Sequence, residues 1–241
     1  MLRLAGLVLS VLAALAGLAL VADHQFGTTG PEVAAGTTVP TAAAPRASRP
    51  PTDPSGAPTD PSATPDQPGV PVRLEIPFPS SNHAGGVTAA VSADPLQGDG
   101  TLFVPADPQA VSWASDDAAP GAAQGTSILT GHVNYVVDGR LVQGALSDLA
   151  QYAVTDVGKT FTVVLADGRR LAYRITGGVQ YDKTELAARP ELRAAVFDQT
   201  SSFGDGSGRV VLVSCGGAFD HRTGNYEDNV FVFAVPVTTA P

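Results

Sequence analysis

From residue 72 to residue 237 the chain consists of short apolar runs separated by turn residues, and this pattern limits its possible folds. The runs are rich in Val, Ile, Phe and Thr, which suit a pleated, half-buried strand. They predict strands at residues 72–76, 87–91, 101–104, 126–130, 160–165, 169–175, 209–214 and 229–235. Helical patterns are confined to residues 144–152 and 185–197, where Pro190 begins the longer part. Eight short strands with little helix predict a mostly-β domain, either a closed barrel or a sandwich.

The charge and the cysteine count exclude several classes of function. Lys and Arg total 14 against 23 Asp and Glu, which gives a net charge of −9. A nucleic-acid partner is not expected, because such a protein needs a basic face to neutralise phosphates. The single cysteine, Cys215, excludes an intramolecular disulfide framework and any CxxC-type zinc or redox site. We therefore expect no metal and no other cofactor.

Residues 4–22 form a run of 19 positions without a charge, between Arg3 and Asp23. A helix of this length reaches roughly 28 Å, close to the ~30 Å thickness of the hydrocarbon layer. Because cytoplasmic flanks carry the positive charge, the chain after Asp23 is expected outside the cell. We interpret residues 1–23 as a retained membrane anchor, with a cleaved signal peptide as the alternative. The expected location is the cell membrane, with a single pass and an extracellular C-terminal domain.

Residues 24–71 separate this anchor from the domain at residues 72–237. The part from residue 31 to residue 71 holds 11 prolines among 41 residues and no aromatic residue. Such a chain buries too little apolar surface to offset the entropy of ordering it. We predict a disordered, Pro-rich linker.

Cys215 is the strongest candidate for chemistry. It follows the β-forming run at residues 209–214, at the predicted end of a strand, and precedes Gly216 and Gly217. Glycines allow the backbone to approach the sulfur closely and to present N–H groups. A free thiol in an exported protein is open to oxidation, so its presence indicates a role. A nucleophile is one interpretation and a small buried hydrophobic residue is the other.

A nucleophilic thiol needs a partner that takes its proton. His132 follows the apolar run at residues 127–130 through Gly131, so it also lies at the exit of a predicted core strand. Two strand ends, one with a thiol and the other with an imidazole, are a more specific indication of a catalytic pair than either residue alone. The other histidines are His24 and His83, predicted to be solvated, and His221, six positions after Cys215.

Three segments resemble those of sortases. Residues 128–132, Ile-Leu-Thr-Gly-His, are similar to the TLTGH-type segment of that family, and residues 212–215, Leu-Val-Ser-Cys, to its LxTC segment with Ser for Thr. The stretch that follows the cysteine, to residue 230, resembles the actinobacterial class F sortases. The resemblance covers about residues 71–236. It implies an eight-stranded sortase-like β-barrel with a few short helices.

The activity implied by the resemblance is cysteine transpeptidation. Cys215 would attack the carbonyl between Thr and Gly of an LPXTG-type C-terminal sorting signal and form a thioester. His132 would exchange protons with the thiol and the leaving amine. An amine of a cell-wall precursor or a pilin, or water, would then release the acyl group. The implied partners are the proteins that carry the sorting signal and the amine acceptor.

The sequence departs from the family at the arginine that orients substrate and stabilises the oxyanion. Its usual positions hold Glu227 or Asn229, depending on the alignment. Arg222, on the loop just before, is the nearest candidate, whereas Asn229 would donate only a neutral hydrogen bond. The alternative function is therefore a sortase-fold surface protein that binds envelope peptides without turnover.

Overall fold

The computed structural model describes residues 68–237. Their secondary structure runs β1 (Pro71–Ile76), β2 (Val87–Asp94), β3 (Val111–Ala114), β4 (Thr126–Gly131), β5 (Asn134–Val137), β6 (Arg140–Gln143), α1 (Leu149–Val154), β7 (Thr160–Leu165), β8 (Arg170–Asp182), α2 (Lys183–Ala188), α3 (Pro190–Phe197), β9 (Arg209–Asp220) and β10 (Asn225–Pro236). None of the helices in this part of the chain has the length and apolar character needed to cross a membrane. The predicted anchor and the linker up to residue 67 lie outside the described residues.

Eight strands close into a barrel in the order β1-β2-β3-β4-β9-β10-β8-β7, and β7 pairs back onto β1. The predicted mostly-β, eight-stranded barrel is confirmed, and the alternative of a sandwich is wrong. Most neighbouring strands are antiparallel, but β2 with β3 and β4 with β9 are parallel. The β4–β9 pair matters for function, since it joins two strands that are far apart in the sequence.

One large apolar cluster fills the barrel. Strand β2 alternates inward and outward residues, so that Val87, Ala89 and Val91 are buried. Trp113 belongs to the same cluster, is 6% exposed and donates its Nε1–H to the Ala118 carbonyl at 3.3 Å. The single tryptophan is thus a core residue.

A second apolar cluster covers the outer face of β4, β9 and β10, beneath α2 and α3. Its members are Ala114, Ile128, Leu186, Val196, Val211, Val213 and Phe231. Because β9 packs on both faces, residues 210–213 are apolar at every position instead of alternating. We call this set the outer cluster.

The predicted strand at residues 101–104 is wrong, and β3 (Val111–Ala114) takes its place in the barrel. Residues 101–104 instead run across the outer face of β4, where the Thr130 hydroxyl donates to the Phe103 carbonyl at 2.6 Å. Strand β3 is only four residues long and buried throughout, including Ser112, so it has no alternating pattern. A strand of this kind leaves little trace in the sequence.

Candidate active site

Cys215 lies within β9 and not at its end, which corrects the predicted strand boundary. The strand continues to Asp220 because it keeps pairing with β10, and Cys215 is there the Cα partner of Asn229. Gly217, with φ +75°, begins a bulge that sets two residues of β9 opposite Glu227. The second glycine after the cysteine therefore forms part of a β-bulge in the long β9–β10 hairpin.

His132 follows β4 directly, and continuing the register of the β4–β9 pair sets it level with Cys215. In the parallel β4–β9 pair Thr130 is matched with Val213, and the two site residues each lie two positions further in the same direction. Neighbouring strands are about 4.8 Å apart. Cys215 is two positions after Val213 in the same strand, so its side chain lies on the same face as Val213, which packs in the outer cluster. His132 and Thr130 form hydrogen bonds to the Pro105 and Phe103 carbonyls, which belong to the segment that crosses the outer face of β4. Both side chains thus lie on the outer face of the barrel.

One nitrogen of the His132 ring is held by the backbone. Its Nε2 lies 2.8 Å from the Pro105 carbonyl oxygen. Because a carbonyl only accepts, the neutral ring carries its hydrogen on Nε2 and its lone pair on Nδ1. Burial, which disfavours the charged ring, lowers the pKa of His132, and the bond to Pro105 raises it by less. At neutral pH the ring is therefore mainly the unprotonated base.

We expect the His132 ring to titrate with a midpoint below the ~6.5 of a solvated histidine, because burial penalises the imidazolium. Nuclear magnetic resonance of the histidine ring carbons as a function of pH measures this midpoint. The signal is assigned by its loss in His132→Gln. A midpoint above ~6.5 would show that the ring gains more from its hydrogen bond than it loses by desolvation.

Lys183 belongs to the site, although sequence reasoning missed it. Its Nζ lies 3.6 Å from Cys215 Sγ and donates to Asn225 Oδ1 at 2.9 Å. Lys183 is the first residue of α2, which starts here because the Asp182 carboxylate accepts the Glu185 N–H at 2.8 Å. Lys183 was not predicted for two reasons. The sequence pattern predicts a helix start two residues later, at Glu185, and a lysine near a helix start is normally exposed to solvent.

Arg222, predicted to orient substrate, lies on the turn between β9 and β10. Its side chain is 84% exposed and its guanidinium pairs with Asp220 at 3.2 Å. The same carboxylate accepts the Arg222 backbone N–H at 2.8 Å. His221, on the same turn, is exposed with its ring edge against Phe219. The role of Arg222 at the oxyanion stays a prediction, and in this structure its charge is directed to the turn.

An unpredicted hairpin, β5–β6, borders the site on the histidine side. Tyr135 packs against the His132 ring with 4.7 Å between ring centroids. Asn134 donates to the Tyr226 hydroxyl at 2.6 Å, which ties the hairpin to β10. Val136 and Leu141 are 59% and 63% exposed. Since apolar residues of this hairpin face solvent, its sequence lacks the usual alternation of buried and exposed positions.

No family model and no curated protein matches the chain. Among solved structures it is similar to sortase A from Corynebacterium diphtheriae, at 12% identity over 73% of this chain and 64% of that one, with a TM-score of 0.46. It is also similar to the SrtA sortase from Actinomyces oris, at 16% identity over 69% and 79% of the two chains, with a TM-score of 0.45. For sortase C1 from Streptococcus suis the identity is 17%, the coverage 73% and 75%, and the TM-score 0.43. At these values the likeness assigns no role to any residue.

Proposed function

We propose that this domain is a cysteine transpeptidase of the sortase type, closest in its motifs to class F. The observation that carries the proposal is the β4–β9 register: Thr130 pairs with Val213, and His132 and Cys215 each follow two positions further along their strands. The thiol is partly exposed, and the imidazole is mainly neutral at pH 7. A nucleophile with an adjacent base is what acyl transfer through a covalent intermediate requires.

In the proposed reaction the Cys215 sulfur attacks the carbonyl carbon of a peptide bond, and the thiol proton passes to His132. The carbon–nitrogen bond then breaks, the leaving amine takes that proton from His132, and a thioester remains on the sulfur. An incoming amine attacks the thioester and gives up its proton through His132, and the Cys215 thiol is released. Water in place of the amine yields a carboxylic acid.

The proposed donor substrate is an LPXTG-type C-terminal sorting signal, cleaved between Thr and Gly. The proposed acceptor is an amine of a cell-wall precursor or a pilin. This choice of substrates depends on the sortase-like segments at residues 128–132 and 212–215. The proposed anchor at residues 1–23 and linker at residues 24–71 would hold the domain outside the membrane, where both substrates are found.

Mass spectrometry of the full-length chain with an LPXTG-type peptide, in the absence of an amine, tests the proposal. The expected result is a mass gain equal to the acyl fragment, located on Cys215 and removed by neutral hydroxylamine. Cys215→Ala should form no adduct. Binding of the peptide without any adduct on the unaltered chain over hours would instead favour the surface protein that binds without turnover.

A further inference from the structure

A cation lies against the sulfur of the candidate nucleophile. The chain has two lysines, Lys159 and Lys183. Lys159 forms an ion pair with Asp156 at 2.7 Å. Lys183 places its ammonium 3.6 Å from Cys215 Sγ in a partly buried position. Such a contact is a charge-assisted hydrogen bond to the atom that would react.

The barrel holds Lys183 from both sides. Strand β8 is 13 residues long and pairs with β10 as far as Asp182, which lies opposite Asp228. This pairing fixes the position of the Lys183 backbone, because Lys183 is the next residue. At the other end of the side chain, Asn225 Oδ1 accepts from the ammonium at 2.9 Å and from the Tyr226 N–H at 2.9 Å. This acceptor is a neutral amide oxygen, and it orients the ammonium toward the sulfur.

We propose that Lys183 is a catalytic residue of this site, which stabilises the thiolate of Cys215 by its positive charge. The inference deepens the proposed function and rests on it, since it concerns the same nucleophile. The thiolate is the reactive form of cysteine, and an adjacent ammonium favours it. Asn229, opposite Cys215, is uncharged, and the guanidinium of Arg222 pairs with Asp220.

The rate at which iodoacetamide alkylates Cys215 measures its thiolate directly, without any peptide substrate. The reagent is uncharged, so a change of protein charge does not alter its attraction to the site. In the full-length chain at neutral pH, Lys183→Met should slow alkylation about tenfold, the contribution expected of one charged hydrogen bond. Lys183→Arg keeps the charge and should retain most of the rate.

Arg189→Met is the matched control. It removes a cation from the same α2–α3 segment, where the guanidinium pairs with Glu185 and Glu191 at 2.7 Å each, and it should leave alkylation unchanged. Asn225→Asp is a second test, because a carboxylate in place of the amide draws the ammonium away from the sulfur. We expect several-fold slower alkylation in this variant.

Thermal unfolding and the adduct experiment separate the two proposals. If Lys183→Met and Asn225→Asp both remain folded and alkylate as fast as the unaltered chain, the role of Lys183 is overturned, whether or not the chain forms a peptide adduct. If alkylation slows as expected but no peptide adduct forms on the unaltered chain, Lys183 does stabilise the thiolate and the transpeptidase function fails.

Discussion

Replacing His132 by Ala should lower kcat/KM for cleavage of an LPXTG-type peptide by about 10²- to 10⁴-fold, the usual contribution of a general acid–base residue. Among the described residues His132 is the imidazole that directly follows β4, the strand paired in parallel with the Cys215 strand β9. Its ring is held by the Pro105 carbonyl, so the lone pair on Nδ1 has a fixed orientation. Peptide cleavage by the full-length chain, followed by chromatography, measures the loss.

Two further variants show whether the loss in His132→Ala comes from missing proton transfer or from a disturbed structure. Gln at position 132 keeps an N–H that reaches toward the Pro105 carbonyl but exchanges no proton at neutral pH, so its loss should equal that of Ala. His221→Ala is the matched control, since this exposed ring lies on the turn against Phe219. If His221→Ala stops turnover while His132→Ala does not, the assignment of the base is wrong.

The sequence predicted the short barrel strands most closely: β7 has its predicted bounds, and β1 begins one residue before its predicted start. Strand β4 was predicted to within one residue, and β9 from its first residue, because residues 128–129 and 210–213 are apolar and pack alternately in the two clusters. Residues 166–168 form the turn between β7 and β8, where Gly168 has φ +86°, a conformation that glycine adopts readily. The extension of β9 past Cys215 was not predicted, since residues 215–220 pair through their backbone and carry no apolar pattern.

The sequence indicates which residues belong to the candidate site more readily than it indicates their contacts. Cys215 and His132 each come directly after a run of strand-forming residues, so their positions are visible along the chain. Their adjacency is not, because it depends on a parallel pairing between strands whose paired residues are 83 positions apart, as Thr126 and Arg209 are. The contact between Lys183 and Cys215 requires the end of β8, the start of α2 and the β10 hairpin to be in place. No local pattern records such a contact.

Replacing Phe231 by Ala should lower the free energy of unfolding by about 3–5 kcal/mol, the usual cost of removing a buried aromatic ring. Phe231 is 0% exposed and lies in the outer cluster opposite Val213. Its ring meets that of Phe197 in α3 edge to face at 5.7 Å and lies 6.3 Å from that of Tyr181 in β8. Urea unfolding of the full-length chain measures the loss.

The same change should loosen the segment that carries Lys183. With the Phe231 ring gone, α2 and α3 lose part of the apolar surface on which they pack, whereas the cluster that fills the barrel keeps its contacts. Hydrogen exchange should therefore rise more at residues 183–197 than in β1 or β7. Phe103→Ala is the matched control: this ring is 39% exposed, so the loss should stay below about 1 kcal/mol. Equal losses in the two variants would show that the outer cluster does not hold the helices to the barrel.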